Sequence, residues 1–141
     1  MSRSLPRTLV LDPSPIISSV EDLLREELVE EVLIRRALSN LFLSIFNYWS
    51  AKKYESGEEG KGPCRDSWSY GVFIKEMMQK GLYAEIVYLY AYRVAVDHYT
   101  LNPTVVYLYE CRKNIPCHIT VSTLKRAVEC AKELYKTLRQ S

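Results

Sequence analysis

The sequence predicts an all-α fold, a four- or five-helix up-and-down bundle with a long first helix and an extended N-terminal arm. Apolar residues recur at helical spacing over several long stretches, which is the pattern of amphipathic helices. Only five glycines and six prolines interrupt 141 residues, and the apolar fraction of 48% is ordinary for a globular chain. A chain of this length suits one hydrophobic core. We therefore expect an arm over residues 1–17 and a single helical domain over residues 18–141.

The arm is expected because residues 1–17 contain three prolines and no helical period. A helix is then expected to open at Ser18 or Ser19, since serine is a favoured N-cap residue. From residue 20 to about residue 54 no glycine or proline breaks the apolar period, which predicts one long helix. Its first turns carry an acidic cluster that the helix dipole favours there, formed by Glu26, Glu27, Glu30 and Glu31.

The middle of the chain predicts a loop followed by two helices. Residues 55–63 are rich in glycine and glutamate and are expected to form the loop. A second helix is expected over residues 67–79, because the Lys80-Gly81 pair that follows is typical of a helix end. The third helix, over residues 82–97, is apolar on nearly every side, which predicts that it is the central buried helix.

The C-terminal part predicts one more helix after an ambiguous segment. Residues 105–111 alternate too briefly to decide between a short strand and a short helix. The last helix is expected to begin at Thr120 or Ser122, with an apolar stripe on one side and Lys, Arg and Glu on the other. Cys130 lies on that stripe and is expected in the core.

Charge and composition exclude several classes of protein and leave nucleic-acid binding open. Residues 1–70 hold nine basic and eleven acidic side chains, whereas residues 71–141 hold ten and six, so the second half carries +4. This balance is compatible with nucleic acid but falls below the dense basic patches of dedicated binders. The four cysteines lack the paired spacing of a zinc site, so no metal and no cofactor is expected. The N-terminal apolar run is too short for a signal peptide and no stretch reaches a membrane span, which predicts a cytoplasmic protein without a membrane partner.

The most informative residues are an arginine, an acid and a histidine near the end of the third predicted helix. Arg93, Asp97 and His98 follow a run of Leu, Tyr, Val and Ala, where charged groups are costly unless they have partners or a task. Arg93 and His98 are five positions apart, which is about 140° on a regular helix. We therefore expect either that the helix ends near His98, since Asn102 and Pro103 follow, or that both side chains reach one groove from its rim.

Two polar strips on apolar helices are expected to face each other and form a pocket. One strip lies on the third helix and consists of Glu85, Arg93 and Asp97. The other lies on the long first helix and consists of Arg36, Asn40, Ser44 and Asn47. The candidate residues that would support Arg93 and His98 are Asp97, Asn40, Asn47, Arg36 and Tyr99. The alternative is structural: Arg93 and Asp97 could form an ordinary surface ion pair, with His98 capping a helix end.

These features resemble the HEPN family, small helical bundles found in toxins and antiviral ribonucleases. The resemblance rests on an arginine and a histidine separated by four residues, Arg93 and His98, late in a long apolar helix of a small all-α domain. A long first helix that ends in aromatic and small residues, here 46–54, is the third shared feature. The resemblance covers residues 20–139.

The resemblance implies a metal-independent endoribonuclease that acts as a homodimer with a composite site. Arg93 would bind the scissile phosphate as a bidentate donor. His98 would act as general base or general acid on the ribose 2′-hydroxyl and the leaving oxygen, which would give a 2′,3′-cyclic phosphate. A toxin or defence role, with an antitoxin or nucleotidyltransferase partner, belongs to the same expectation.

Two other functions remain open on the sequence. Active family members usually carry a polar residue directly after the arginine, where this chain has Val94. That difference favours a bundle that binds RNA or a nucleotide without cleaving it. A partner-binding component of a toxin–antitoxin pair is the other alternative, since the arm carries apolar residues beside its prolines that suit a neighbouring subunit.

Overall fold

The computed structural model describes residues 12–57 and 69–140, which form five α-helices and one two-stranded β-hairpin. The helices are α1 (Ser14–Leu23), α2 (Glu31–Glu55), α3 (Tyr70–Gln79), α4 (Tyr83–His98) and α5 (Val121–Arg139). The strands are β1 (Val105–Leu108) and β2 (Lys113–Pro116). The predicted mainly helical architecture is confirmed, but the expectation of an all-α fold is wrong because a hairpin separates α4 from α5.

The predicted long first helix is wrong, because the segment forms two helices, α1 and α2. The chain leaves the helical conformation after Leu23, and Glu30 is extended with φ −68° and ψ 143°. An unbroken helix would hold Glu27 four residues from Glu31, and like charges at this spacing destabilise a helix. In the observed break, Glu31 lies instead in the first turn of α2, where the helix dipole favours an acid.

Helix α1 begins at Ser14, earlier than expected, so the prediction of an extended arm is wrong from this residue onward. Asp12 Oδ1 accepts a hydrogen bond from the Ser14 backbone N–H at 2.9 Å, which satisfies one of the N–H groups that a helix start leaves free. Pro15 is tolerated because it lies in the first turn. Ile17 and Val20 are buried against the core, so tertiary packing stabilises a helix that has a weak sequence signal.

Helices α2, α4 and α5 pack against one another and enclose the core. Their fully buried side chains include Leu38, Leu41, Phe42 and Ile45 from α2, Ile86 and Leu89 from α4, and Leu124 from α5. Buried residues follow α4 along its length, which confirms the prediction of a central buried helix. Helix α5 turns its apolar stripe inward with Cys130 buried, and Thr120 caps its start by accepting a hydrogen bond from the Thr123 N–H at 3.2 Å.

The ambiguous segment after α4 is a strand followed by a turn. Strands β1 and β2 pair antiparallel, with Val106 opposite Ile115. Val106 and Leu108 are buried, so the alternate residues Val105 and Tyr107 face solvent. The brief alternation in the sequence is that of a strand only four residues long.

Three predicted features fall partly outside the described residues: the arm over residues 1–11, the loop over residues 58–63 and the helix start at residue 67. Within the described part, α3 begins at Tyr70, where Ser69 Oγ accepts a hydrogen bond from the Val72 N–H at 3.2 Å. Gly81 follows α3 with φ 84°, as the sequence signal predicts. No helix within the described ranges combines the length and the apolarity that crossing a membrane requires.

Candidate functional site at the end of helix α4

The candidate site lies where α4 ends. His98 is the last residue of the helix, and Tyr99 is extended with φ −117° and ψ 128°. Arg35 on α2 donates from Nη2 to the carbonyl oxygens of Val96 and Tyr99, at 2.7 Å each. A helix end leaves such carbonyl groups without an intrahelical partner, so Arg35 caps α4 from a neighbouring helix. The helix end expected near His98 is therefore present.

Arg93 and His98 contact each other at this helix end. Arg93 Nη1 lies 3.1 Å from His98 Nε2. A guanidinium has only hydrogen-bond donors, so this contact is a hydrogen bond in the tautomer whose Nε2 carries no proton. His98 is exposed to solvent. The contact therefore places an imidazole beside a guanidinium at the surface.

Arg93 is held in place by an aromatic ring and an acid. Its side chain is 14% exposed, and its Cζ lies 4.8 Å from the centroid of the Tyr70 ring. Its Nη2 donates to the Tyr70 hydroxyl at 3.4 Å. Its Nε lies 3.2 Å from Asp97 Oδ2, a distance typical of an ion pair, although the N–H is not aligned for a hydrogen bond. A cation over a ring and beside a carboxylate is stabilised, which fixes the guanidinium at the helix end.

Asp97 is the acid that joins α2 to α4. Its Oδ1 accepts a hydrogen bond from Arg36 Nη2 at 2.8 Å, and its Oδ2 accepts one from Ser39 Oγ at 2.6 Å. Burial raises the pKa of Asp97, but hydrogen bonds from Ser39 and Arg36 outweigh it and hold the pKa below its ordinary value. Asp97 is therefore ionised at neutral pH and positions the guanidinium of Arg93.

The charges around this helix end are mostly positive. The ionised groups are the arginines Arg35, Arg36 and Arg93 and the acids Glu31 and Asp97, which leaves a net charge of +1. Glu31 and Arg35 both bond to the side chain of Asn102, so the segment after α4 is tied to the start of α2. A surface with this charge attracts an anionic group such as a phosphodiester.

The structure brings together only part of the two predicted polar strips. Arg36 pairs with Asp97 across the interface of α2 and α4. Asn40 and Asn47 instead line a cavity of about 400 Å³ between α1 and α2. The hydrogen bonds described for Arg93 involve neither asparagine. The expected pocket between the two strips is thus replaced by direct contact at one end.

Sequence reasoning missed three residues of the site, which are Arg35, Ser39 and Tyr70. Tyr99 contributes its backbone carbonyl, which accepts a hydrogen bond from Arg35. Ser39 is 2% exposed, and such a buried hydroxyl signals a polar partner. Arg35 and Tyr70 carry no comparable signal, because their contacts depend on how α2 and α3 pack against α4.

A depression of about 660 Å³ lies away from the site, between α1 and α5. Its lining residues include both acids and bases, such as Glu21 and Arg126, and none of Arg93, Asp97 or His98. Within residues 12–57 and 69–140, no three His, Cys, Asp or Glu side chains come together as a metal site would require.

No protein family model, curated protein or solved structure matches this chain. The class of protein is therefore defined by fold and site alone: a mainly helical domain that presents a paired guanidinium and imidazole at the exposed end of its central helix. A guanidinium binds phosphate and an imidazole exchanges protons near neutral pH, so this pair suits chemistry on a phosphodiester.

Proposed function

We propose that this chain is a metal-independent endoribonuclease of the HEPN type that acts as a homodimer, with a toxin or defence role. The observation that carries the proposal is the 3.1 Å contact between Arg93 Nη1 and His98 Nε2 at the solvent-exposed end of α4. The two groups that phosphodiester cleavage needs, a phosphate donor and a proton acceptor, are neighbours there. The surrounding arginines add positive charge, which favours binding of the RNA backbone.

The reaction begins when the scissile phosphate displaces the imidazole from Arg93. The guanidinium then donates to two phosphate oxygens, since a fork of N–H groups matches them. Nε2 of His98 is released as an unprotonated base close to the bound phosphate. Asp97 keeps the guanidinium in place during this exchange, because its ion pairs with Arg93 and Arg36 do not involve the face that meets His98.

The chemical step moves two protons, one from the 2′-hydroxyl to a base and one from an acid to the leaving oxygen, and exchanges one P–O bond for another. His98 Nε2 takes the proton of the ribose 2′-hydroxyl, and the 2′-oxygen forms a bond to phosphorus. The bond between phosphorus and the 5′-oxygen breaks, and the leaving oxygen takes a proton from a protonated imidazole. The products are a 2′,3′-cyclic phosphate and a 5′-hydroxyl end. In a homodimer, the two imidazoles at a composite site can serve as base and acid in the same turnover.

An exposed apolar surface beside the site supports the homodimer. Leu28 is 87% exposed, Val32 58% and Leu101 83%. The contacts of Asn102 with Glu31 hold the chain after α4 against the start of α2, so Val32 and Leu101 flank one junction. Exposed large apolar side chains are costly in water, and burying them against a second copy would stabilise a dimer. A second copy seated here would bring two sites together.

Substitution of Leu101 by glutamate tests this interface. We expect Leu101→Glu to shift the protein from dimer to monomer and to reduce RNA cleavage, because a charge would then be buried against the second copy. Tyr54, which is 50% exposed at the far end of α2, offers a matched control in Tyr54→Glu. Light scattering measures the oligomeric state of both variants. The proposed interface is contradicted if the wild-type protein is a monomer, or if Leu101→Glu forms a dimer that dissociates no more readily than the wild type.

The proposed reaction is tested by changing the RNA substrate rather than the protein. We expect wild-type protein to cleave single-stranded RNA in EDTA and to leave 2′,3′-cyclic phosphate and 5′-hydroxyl ends. The same RNA with 2′-O-methyl groups should stay intact, because it has no nucleophile at the 2′-position. Mass spectrometry of the products distinguishes these ends from others. Loss of cleavage in EDTA, cleavage of the methylated RNA, or no cleavage of either RNA contradicts the proposal.

A second candidate function is RNA or nucleotide binding without cleavage. It is favoured by Val94, which follows Arg93 and packs partly buried against the core, so it adds no polar group to the site. Binding of RNA that weakens steeply with salt, together with intact RNA after long incubation, selects this function over the ribonuclease.

A further inference from the structure

Two tyrosines stand exposed on the hairpin that follows the candidate site. Tyr109 is 81% exposed in the turn, and Tyr107 is 39% exposed on the outer face of β1. Their ring centroids are 4.9 Å apart with an interplanar angle of 83°. An edge-to-face pair leaves at least one ring face uncovered. The hairpin therefore presents a preformed aromatic surface to solvent.

The turn of the hairpin holds an arginine in a conformation that is costly for it. Arg112 has φ 54°, the one positive φ outside glycine among the described residues. Glycine or asparagine is usual at such a position, because a Cβ is disfavoured there. Arg112 is exposed, and no hydrogen bond or ion pair described within residues 12–57 and 69–140 accounts for its presence. Backbone strain that is retained at an exposed position suggests that the side chain has a functional role such as binding a ligand.

The remaining charges of the turn leave its outer side cationic. Glu110 is directed toward α4, where its Oε1 accepts a hydrogen bond from the Tyr90 hydroxyl at 2.8 Å. Lys113 lies at the edge of the hairpin with Nζ 4.9 Å from the centroid of the Tyr83 ring. Glu110 is therefore directed toward α4, whereas Arg112 and Lys113 are exposed.

The first turn of α3 links this hairpin to the candidate site. Tyr70 contacts the guanidinium of Arg93. A Cβ at the next residue, Gly71, would lie 3.9 Å from Cγ of Glu110 in the hairpin turn. One turn of helix therefore contacts both the guanidinium of Arg93 and the hairpin turn.

We propose that Tyr107 and Tyr109 form a stacking platform for the bases of single-stranded RNA, with Arg112 contacting the RNA backbone. This inference deepens the proposed function, on which it rests for the identity of the ligand. Stacking on aromatic side chains combined with cations along the backbone is how proteins bind single strands without reading a sequence. The platform holds the RNA beside the scissile phosphate and selects single strands, since the bases of a duplex are covered by their neighbours.

The platform is tested by binding rather than by cleavage. The probe is a fluorescein-labelled 2′-O-methyl oligouridylate of about twelve nucleotides, which spans the size of common single-strand sites. It lacks the 2′-hydroxyl nucleophile, so the wild-type protein can be used. Fluorescence anisotropy gives the dissociation constant. We expect Tyr109→Ala to weaken binding roughly 5- to 100-fold, as loss of one stacked base does. Tyr109→Phe should bind like the wild type, because it keeps the ring.

Arg112→Gly separates a ligand contact from a structural role. Glycine relieves the positive φ, so we expect a melting temperature no lower than that of the wild type, together with weaker binding. The slope of log affinity against log salt should fall by about one, as for a lost phosphate contact. The matched control is Tyr54→Ala, which removes an exposed tyrosine on α2 far from the hairpin and should leave binding unchanged.

The outcomes distinguish the platform from the ribonuclease. If the wild-type protein binds the probe and neither Tyr109→Ala nor Tyr107→Ala weakens that binding, the platform is overturned. Equal affinity for a duplex and for the single-stranded probe overturns it as well. RNA cleavage by a protein that does not bind the probe also overturns the platform while the ribonuclease stands. Tyrosine-dependent binding by a protein that never cleaves RNA supports the platform and removes the ribonuclease. A hairpin that serves a protein partner instead would give no binding of the probe.

Discussion

Replacing His98 by alanine is expected to lower the rate of RNA cleavage roughly a hundred- to ten-thousand-fold, the usual contribution of a general acid or base. The imidazole is exposed, and its one described hydrogen bond is to Arg93. Its removal therefore leaves the core untouched, and the melting temperature should change little. Single-turnover cleavage of single-stranded RNA in EDTA measures the effect. A loss of rate without a loss of stability is the signature of a residue that acts on the substrate.

The chain supplies its own control for this experiment. It has one other histidine, His118, which is exposed after the hairpin. The backbone of His118 exchanges hydrogen bonds with the Tyr92 hydroxyl at 3.0 and 3.3 Å, so truncation of the imidazole leaves both bonds in place. We expect His118→Ala to cleave like the wild type. Equal cleavage by the His98→Ala and His118→Ala variants would remove His98 from the reaction.

The second large effect is expected at Asp97, where replacement by asparagine should destabilise the protein by about 1–3 kcal/mol at neutral pH. Asparagine has the size of aspartate but no charge, so the ion pairs with Arg36 and Arg93 are lost. Arg93 is 14% exposed and keeps part of its desolvation cost without a counter-ion. The Arg36 end of the pair is 52% exposed, and solvent screening there keeps the expected loss moderate. Urea unfolding measures the change.

The pH dependence of this difference follows from the lowered pKa of Asp97. A carboxylate whose pKa is lower in the folded state stabilises the fold above its ordinary pKa of 3.8. That contribution is lost as the pH falls through the folded-state pKa. The gap between wild type and Asp97→Asn should therefore stay constant down to this ordinary value of 3.8 and close progressively as the pH falls below it. A gap in the free energy of unfolding that stays the same size from neutral pH to well below the ordinary value contradicts the assignment.

A surface ion pair provides the comparison for Asp97→Asn. Asp22 pairs with Arg25 within one turn, and the two side chains are 69% and 75% exposed. Exposed pairs of this kind contribute little to stability. Asp22→Asn should therefore unfold like the wild type at every pH, which separates the loss of a part-buried anion from the loss of any carboxylate.

The spacing of residues along the chain predicts only part of the candidate site. Arg93 and His98 are five residues apart, and a regular helix would point them in different directions. Both residues lie within α4, of which His98 is the last residue, and Arg93 Nη1 still lies 3.1 Å from His98 Nε2. The helix end beside them is held by Arg35 from α2. The sequence indicates a helix end nearby through Pro103, whereas the capping arginine lies more than sixty residues away along the chain. No local pattern predicts such a partner.

The errors in the predicted fold have a common cause. The break between α1 and α2 contains no glycine or proline, and the hairpin strands have only four residues each. The helical period of apolar residues continues across the break between α1 and α2, so it does not reveal the break. The alternation in the hairpin strands is too short to identify them as strands. Both are decided by distant contacts: α1 bends back so that Ile17 and Val20 reach the core, and β1 is held by the burial of Val106 and Leu108.

Local sequence patterns are enough to predict the mainly helical architecture, the buried central helix and the pair of residues on which the proposed function rests. These follow from the period of apolar residues and from polar groups placed where they are costly, and both are properties of a single segment. Three features appear only in the folded chain: the hydrogen bond of Asp97 with Ser39 on α2, the contact of Arg93 with Tyr70 on α3, and the exposed tyrosine pair on the hairpin. The physical reason is that such contacts join segments far apart in the chain, and their geometry exists only once the core has packed.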